Sequence, residues 1–368
     1  MFQQGIKVVT LIAAVLSAAA AFADCTMDTL VNLEVPAESE LRADAPFMDV
    51  LDTPAVITPL ASRTPLNGIT RAGKRLVAAG ARGHIVYSDD EGRSWKQAKV
   101  PVSSDLTAVH FPTSGKGWAV GHDGVILHSA DGGASWVKQF DGRIAGQVLA
   151  AWYRDAGATG LGAEIANLVK QGPDKPFLDV WFDDETTGYA VGAFNFIFRT
   201  YNGGASWEPW LERTENPKRL HLYAIRRTPD GLFVAGEQGL LLKFDSRRGV
   251  FAALDSGYNG TFFGLTGKAG VIVAFGLRGN AYRSVDGGKN WRKVETGAPT
   301  TLTGGTVTRG GDILLVTLLG GVLASHDDGA TFGALPGQQG IPAAGIAETQ
   351  GGALALVGMR GVRVQAAK

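Results

Sequence analysis

Cysteine is almost absent: Cys25 is the only one in 368 residues, so no internal disulfide can form and packing alone must hold the fold. Neither sign of charge prevails, with 35 Lys and Arg against 35 Asp and Glu. That balance excludes a global pull toward nucleic acid or an anionic membrane surface, while leaving room for a local patch. Long apolar runs are missing too, apart from Val8 to Ala21, which is short for a bilayer span. The six histidines lack metal-ligand spacing such as His-x-x-x-His, so structural or solvent-facing roles are expected, with no metal and no cofactor.

Glycine, by contrast, is abundant at 51 residues, as suits many short strands joined by turns. Lys7, the apolar run and the small-x-small site Ala21-Phe22-Ala23 read as a signal peptide over residues 1–23, cleaved after Ala23. The expected location is therefore periplasmic or secreted. Asp24 before Cys25 argues against a lipobox, which needs a small residue there. Residues 24–54 are mixed and acidic with no sustained period, and read as an N-terminal arm.

From Leu66 onward the chain repeats. Aligning each unit on the residue before its third strand gives Gly83, Gly124, Asn195, Gly239, Gly279, Gly320 and Gly361, spaced by 41, 71, 44, 40, 41 and 41. Each unit reads as four short strands, and no unit carries a 3.6-residue period. This is the pattern of an all-β fold, a seven-bladed β-propeller of four-stranded antiparallel blades over residues 55–368. The last unit ends after its third strand, and counting back from Leu66 makes Ala55 to Ala61 the expected N-terminal strand closing that blade. Pro59 is tolerable there, on an edge strand. The one long spacing holds about 30 extra residues. Ile144, Val148, Leu149 and Trp152, then Leu161, Ile165 and Leu168, form helical stripes, so 141–176 reads as a helical hairpin turning near Gly157 to Gly160.

A turn recurs between third and fourth strands: Ser88, Asp90, Gly92, Trp95; Ser129, Asp131, Gly133, Trp136; Ser284, Asp286, Gly288, Trp291; and Ser325, Asp327, Gly329, Phe332. Thr200 to Trp207, with Gly204, is a softened copy, and the fourth unit has lost the motif. The Ser hydroxyl and Asp carboxylate can accept backbone N–H groups while glycine supplies a positive φ, so the expected role is a self-capped turn whose aromatic packs between blades. On the opposite face the tips between second and third strands hold Arg82, Asp123, Phe194, Gln238, Arg278 and Arg360, with the sixth tip ambiguous around Leu319-Gly320-Gly321. Arg82, Arg278 and Arg360 at equivalent positions read either as an anion-binding set, because guanidinium groups pair bidentately with carboxylate or phosphate, or as solvation of exposed tips. Glu164 and Glu237 are the carboxylates worth testing for acid/base work.

The Ser-x-Asp-x-Gly-x-x-Trp turn resembles the Asp-box, or BNR repeat, of sialidases and many secreted glycosidases. The mature chain as a whole, with units of the type Ala119-Val120-Gly121, Gly124, then Asp131 to Trp136, and with the Gly172 to Phe182 stretch, is similar to the propeller family of photosystem II assembly and stability factors and its non-photosynthetic proteobacterial branch. That resemblance implies a non-catalytic monomer that binds no nucleic acid and holds or assembles a membrane-protein complex at the inner membrane. The arginine-rich patch of the photosynthetic members has its nearest matches in Arg82, Arg278 and Arg360. Bacterial relatives are often encoded beside exporters of the resistance-nodulation-division (RND) type, which suggests such a transporter as partner. The alternative is a sialidase-like glycoside hydrolase, for which three Arg would hold a carboxylate beside a Tyr–Glu pair and an Asp acid. No Tyr stands with a Glu at matching tip positions, and the Phe-Arg-Ile-Pro start motif is missing.

Overall fold

Second strands such as Gly117–Gly121, Gly188–Gly192 and Ile313–Thr317 are buried at every residue. Continuous burial of this kind requires packing on both faces of the sheet. The computed structural model describes residues 48–155, 162–337 and 340–367 and meets that requirement with seven antiparallel sheets. Blade 1 spans 66–97, blade 2 106–140, blade 3 177–209, blade 4 222–254, blade 5 262–294, blade 6 302–334 and blade 7 343–365. First strands pack on one another all round the ring, blade 7 on blade 1 included, and so wall a central channel. The protein is a seven-bladed β-propeller with one helical insertion. The expected signal peptide and most of the arm lie outside the described residues.

Cores form between blades. Trp118 of blade 2 is fully buried and stacks on Phe182 of blade 3 with centroids 3.5 Å apart and planes 7° apart. Its indole N–H donates to Gln139 Oε1 at 3.1 Å, so the ring is buried without stranding its polar atom. Phe140, Phe177, Phe198 and Trp207 continue the same cluster.

Among the described residues, six blades have four strands, whereas blade 7 has three, Ala343–Glu348, Leu354–Gly358 and Gly361–Gln365. The expected closing strand at Ala55 to Ala61 does not pair there. Instead Ala55 N–H donates to Val100 O at 3.1 Å, and the Gln97 side chain bonds Val56 O and Thr58 N, so the segment runs along the outer edge of blade 1. Only its end reaches the seam between the two blades, where Ala61 packs with Leu66 and Val357. Gly361 shows the fit: a Cβ there would lie 1.9 Å from Ser62 O, just as one on Gly83 would lie 2.1 Å from Val102 O. Residues 62–63 thus serve as the passage from blade 7 to blade 1, but a side-chain clip to Gln97 replaces strand pairing.

The insertion forms two helices, α1 (Gly142–Asp155) and α2 (Gly162–Gln171). Asp141 starts α1, accepting the N–H groups of Arg143 and Ile144 on Oδ1 at 3.0 and 3.1 Å. Ala145, Leu149, Tyr153 and Ile165 turn inward onto blades 2 and 3. The stripe is therefore rotated from the expected one: Ile144 is exposed, while Val148, Trp152 and Leu168 are only partly covered. Gly157 to Leu161 lie outside the described residues. Arg143 on α1 also binds Asp52 through two bonds of 2.8 and 2.9 Å, and together with Lys138 holds the Asp52 carboxyl down at about 2.

Candidate functional site

The two faces of the ring are chemically different. On one face, each recurring turn is closed on itself. Ser129 Oγ receives Gly133 N–H at 2.8 Å and donates to Asp131 Oδ1 at 2.8 Å, while Asp131 also takes the Ser135 N–H and hydroxyl at 2.9 and 2.7 Å. Blades 1, 5 and 6 repeat this around Asp90, Asp286 and Asp327, and blade 3 does so with Thr200 and Asn202. The residue before the aromatic, Ser94, Ser135, Ser206, Asn290 or Thr331, completes every turn, although its varied identity hides it in the sequence repeat. These bonds favour the charged carboxylate: Asp90 falls to about 2, held chiefly by Ser94, and Asp286 to about 2, held chiefly by Asn290.

A side chain from the preceding blade then grips the turn's backbone. Arg75 reaches Gly132 O at 3.1 Å, Gln139 reaches Gly203 O at 3.0 Å, Lys243 reaches Gly287 O at 2.8 Å, and Arg283 reaches Asp328 O at 2.6 Å. The aromatics Trp136, Trp207, Trp291 and Phe332 pack into the seam with the preceding blade. In blade 4 the hairpin lacks the motif, and Asp245 alone accepts two N–H groups before Gly249 turns the chain. This face is occupied by its own architecture.

The opposite face leaves side chains uncommitted. Arg82, Asp123, Phe194, Gln238 and Arg278 all stand at hairpin tips with φ between 50° and 58°. Backbone bonds fix these tips: Arg82 N–H donates to Asp105 Oδ1 at 2.7 Å. The guanidinium groups of Arg82, Arg278 and Arg360 are exposed and make no hydrogen bond or ion pair among the described residues. The sixth tip resolves as Leu318-Leu319 before Gly320, whose Cβ would lie 2.1 Å from Ile341 O. Leu318, Leu319 and Met359 are 45%, 51% and 62% exposed. Four consecutive blades, 5, 6, 7 and 1, therefore present Arg278, Leu318-Leu319, Met359-Arg360 and Arg82 as one cationic and aliphatic arc.

The channel opens within this ring of tips. In each of seven blades the first strand is bulged against the second, and the extra residues Asn67, Thr107, Leu178, Tyr223, Phe263, Thr303 and Ala344 line a cavity of about 160 Å³. Thr107 and Thr303 spend their hydroxyls on the next blade, donating to Phe177 O and Ala343 O at 2.8 Å. Deeper in the wall, buried Asp179 accepts Val180 and Ile225 N–H groups and pairs with Arg226.

The sequence places no Tyr beside a Glu at the tips, and the structure adds two such relationships. The Tyr153 hydroxyl donates to Glu212 Oε2, between α1 and the end of blade 3. Tyr223, near Glu237, is pushed above its usual value of 10 by burial and then by the carboxylate's charge. A phenol held protonated is poorly prepared as a nucleophile. Glu237 is itself engaged, accepting His221 N–H at 2.8 Å and facing His221 Nδ1 at 2.8 Å. The Glu164 side chain lies outside the described residues.

Comparison with known proteins accounts for this frame. A family model described as "Photosynthesis system II assembly factor YCF48" matches residues 62–130 and 164–332, more than half of the chain. The chain is 27% identical over 166 residues to the photosystem II assembly lipoprotein Ycf48 of Synechococcus sp. (strain CC9902), covering 42% of this chain and 47% of that protein. It is 31% identical over 87 residues to the chloroplastic photosystem II stability/assembly factor HCF136 of Arabidopsis thaliana, covering 23% of this chain and 21% of that one. These matches span about half and about a fifth of the respective relatives. A solved structure described as "YCF48 bound to D1 peptide" superposes with a TM-score of 0.62 at 14% identity, over 86% of this chain and 99% of that chain. At that identity the likeness speaks for the fold alone. On the strength of the family match, the chain belongs to the YCF48-type photosystem II assembly factor family of β-propellers.

Proposed function

We propose that this protein is a non-catalytic assembly or accessory factor that holds a segment of a membrane-protein complex on the face carrying Arg82, Arg278 and Arg360. The observation that carries this reading is the arc over blades 5, 6, 7 and 1, where three uncommitted guanidinium groups alternate with Leu318, Leu319 and Met359. Exposed aliphatics beside uncommitted Arg suit a polypeptide with both apolar and acidic residues better than they suit a small anion. Family membership and the peptide-bound relative support the same class of partner. The signal-peptide reading of residues 1–23 supports a periplasmic or secreted location, and in the periplasm an inner-membrane complex such as an RND-type exporter is a fitting partner. The engaged state of Glu237 and the raised Tyr223 speak for binding over glycoside hydrolysis.

The test is affinity purification of the tagged protein from its own crosslinked membranes, beside a folded Arg82→Ala, Arg278→Ala, Arg360→Ala variant. Recovery of a membrane complex by the native protein and not by the variant supports the reading. Equal recovery by both removes the arc from the interface.

A further inference from the structure

On the same face as the arc, but across the ring from it with blades 2 and 4 between, a recess of about 310 Å³ opens between α2 and the tip of blade 3. Phe196 and Leu211, almost fully buried, form its floor, with Leu168 on the helix side and Phe194 at the rim. The charged side chains in its wall, Lys175 and Arg219, are both cations. Asp174 pairs with Lys175, and Arg219 donates to Leu211 O at 3.3 Å. A guanidinium carries five N–H donors, so Arg219 can meet a carboxylate while keeping the partners it already has. For scale, a dry apolar cavity of about 150 Å³ suffices to hold benzene.

Phe194 is the odd member of the tip series. Its φ is 54°, in the left-handed region, and its ring is 54% exposed. Backbone strain there is unfavourable, and an exposed ring gains nothing from water in return. The equivalent positions Arg82, Asp123, Gln238 and Arg278 carry groups that water or a partner solvates. The Phe194 ring is also held in place. Lys175 Nζ, anchored by Gln171 Oε1 at 2.9 Å, sits 5.5 Å from its centroid, and the His221 ring lies against it at 4.4 Å.

We infer that this recess seats one apolar side chain of a bound peptide, packed on Phe194, Phe196 and Leu211, with an adjoining carboxylate meeting Arg219. This rests on the peptide-segment reading above and adds the chemistry of its anchor: a Leu- or Phe-like side chain next to a negative charge. That charge is either an Asp or Glu neighbour or the chain's own C-terminal carboxylate.

The probes are N-acetyl-Asp-Phe-amide, N-acetyl-Phe as the free acid and N-acetyl-Lys-Phe-amide, titrated into the mature protein and followed by ligand-observed NMR. At least one acidic probe should bind about tenfold more tightly than the basic one, as expected for loss of one charge-assisted bond. Which acidic probe wins distinguishes an internal carboxylate from a chain terminus. Phe194→Gln, which installs the residue of the blade 4 tip, and Arg219→Gln should each weaken the acidic probe about tenfold. Lys289→Ala, at an exposed residue of the blade 5 turn on the opposite face, should leave it unchanged. Equal binding of acidic and basic probes, no effect of either recess variant, or tighter binding of sodium laurate than of any peptide would overturn the assignment. Two recess variants are used so that one failing to fold leaves the other to decide. The arc variant reports separately. If it keeps the membrane partner while Phe194→Gln loses the probe, the arc reading fails and the recess stands; if it loses the partner while both recess variants bind the probe normally, the arc stands and the recess fails.

Discussion

Asp179 of blade 3 and Arg226 of blade 4 pair across the seam between neighbouring first strands, with the carboxylate buried and the guanidinium half-exposed in the channel wall. Asp179 also takes the Ile225 N–H at 2.8 Å, so one carboxylate ties two blades together by charge and by backbone.

Removing one partner of such a pair strands a buried charge. Arg226→Met should destabilise the protein by about 3 kcal/mol, the lower end of the usual range because the guanidinium is partly solvated. The double variant Asp179→Asn, Arg226→Met should recover most of that loss. Urea unfolding of the four members of the cycle measures it, and a double variant whose loss equals the sum of the two single losses would show that the pair is not coupled.

The turn carboxylates should make acid stability depend on Asp90 and Asp286. Both are held at about 2 in the folded chain against an ordinary value of 3.8, so the charged form is favoured by folding. Their contribution is complete above about pH 4 and is lost as pH falls toward 2. Asp90→Asn and Asp286→Asn should therefore lower Tm at neutral pH and narrow the gap to the native protein as pH drops through that window. A gap independent of pH would assign the loss to the hydrogen bonds alone.

His110 titrates in a different window. Its Nδ1 accepts Phe182 N–H at 3.1 Å and its ring stacks on Trp181 at 4.1 Å, so it sits neutral between blades 2 and 3. Burial first, then the charge of Arg226, pushes it from 6.5 down to about 3. Folding favours the neutral ring, which stabilises fully above pH 6.5 and progressively less toward pH 3. His110→Gln keeps an acceptor for Phe182 and should flatten the stability profile through the upper part of that range. Thermal melts between pH 7 and pH 4.5, above the carboxylate window, isolate the effect.

Trp118→Ala removes the ring that joins blades 2 and 3 and should cost about 3–5 kcal/mol. Phe182→Leu, which keeps bulk but loses the stack, should cost less. Hydrogen exchange should show the loss first at that seam, in strands Gly117–Gly121 and Phe177–Phe182. Uniform loss around the ring would mean that the blades unfold as one unit.

How much is legible in the sequence depends on the range of the interaction. The blades, their turns and the place of the insertion follow from local chemistry: a glycine that alone tolerates a close carbonyl, a Ser and an Asp that cap a turn a few residues on, an aromatic at fixed offset. Such features recur because each blade meets the same neighbour geometry. Contacts specific to one seam are not legible. The Gln97 clip on residues 56–58, the rotation of the α1 stripe toward Ala145 and Leu149, and the Tyr153–Glu212 contact depend on distant partners that no period announces.

By itself, then, the sequence determined a ring of seven repeated sheets with one helical interruption, because strand, turn and repeat length are written in residues a few positions apart. The tertiary structure alone decided how the ring closes and which residues become available. Among the described residues blade 7 has three strands, because residues 56–58 find their partners on blade 1. Phe194 acquires a recess beneath it only because α2 folds back over blade 3, and the three arginines share one arc only because propeller closure brings blade 7 against blade 1.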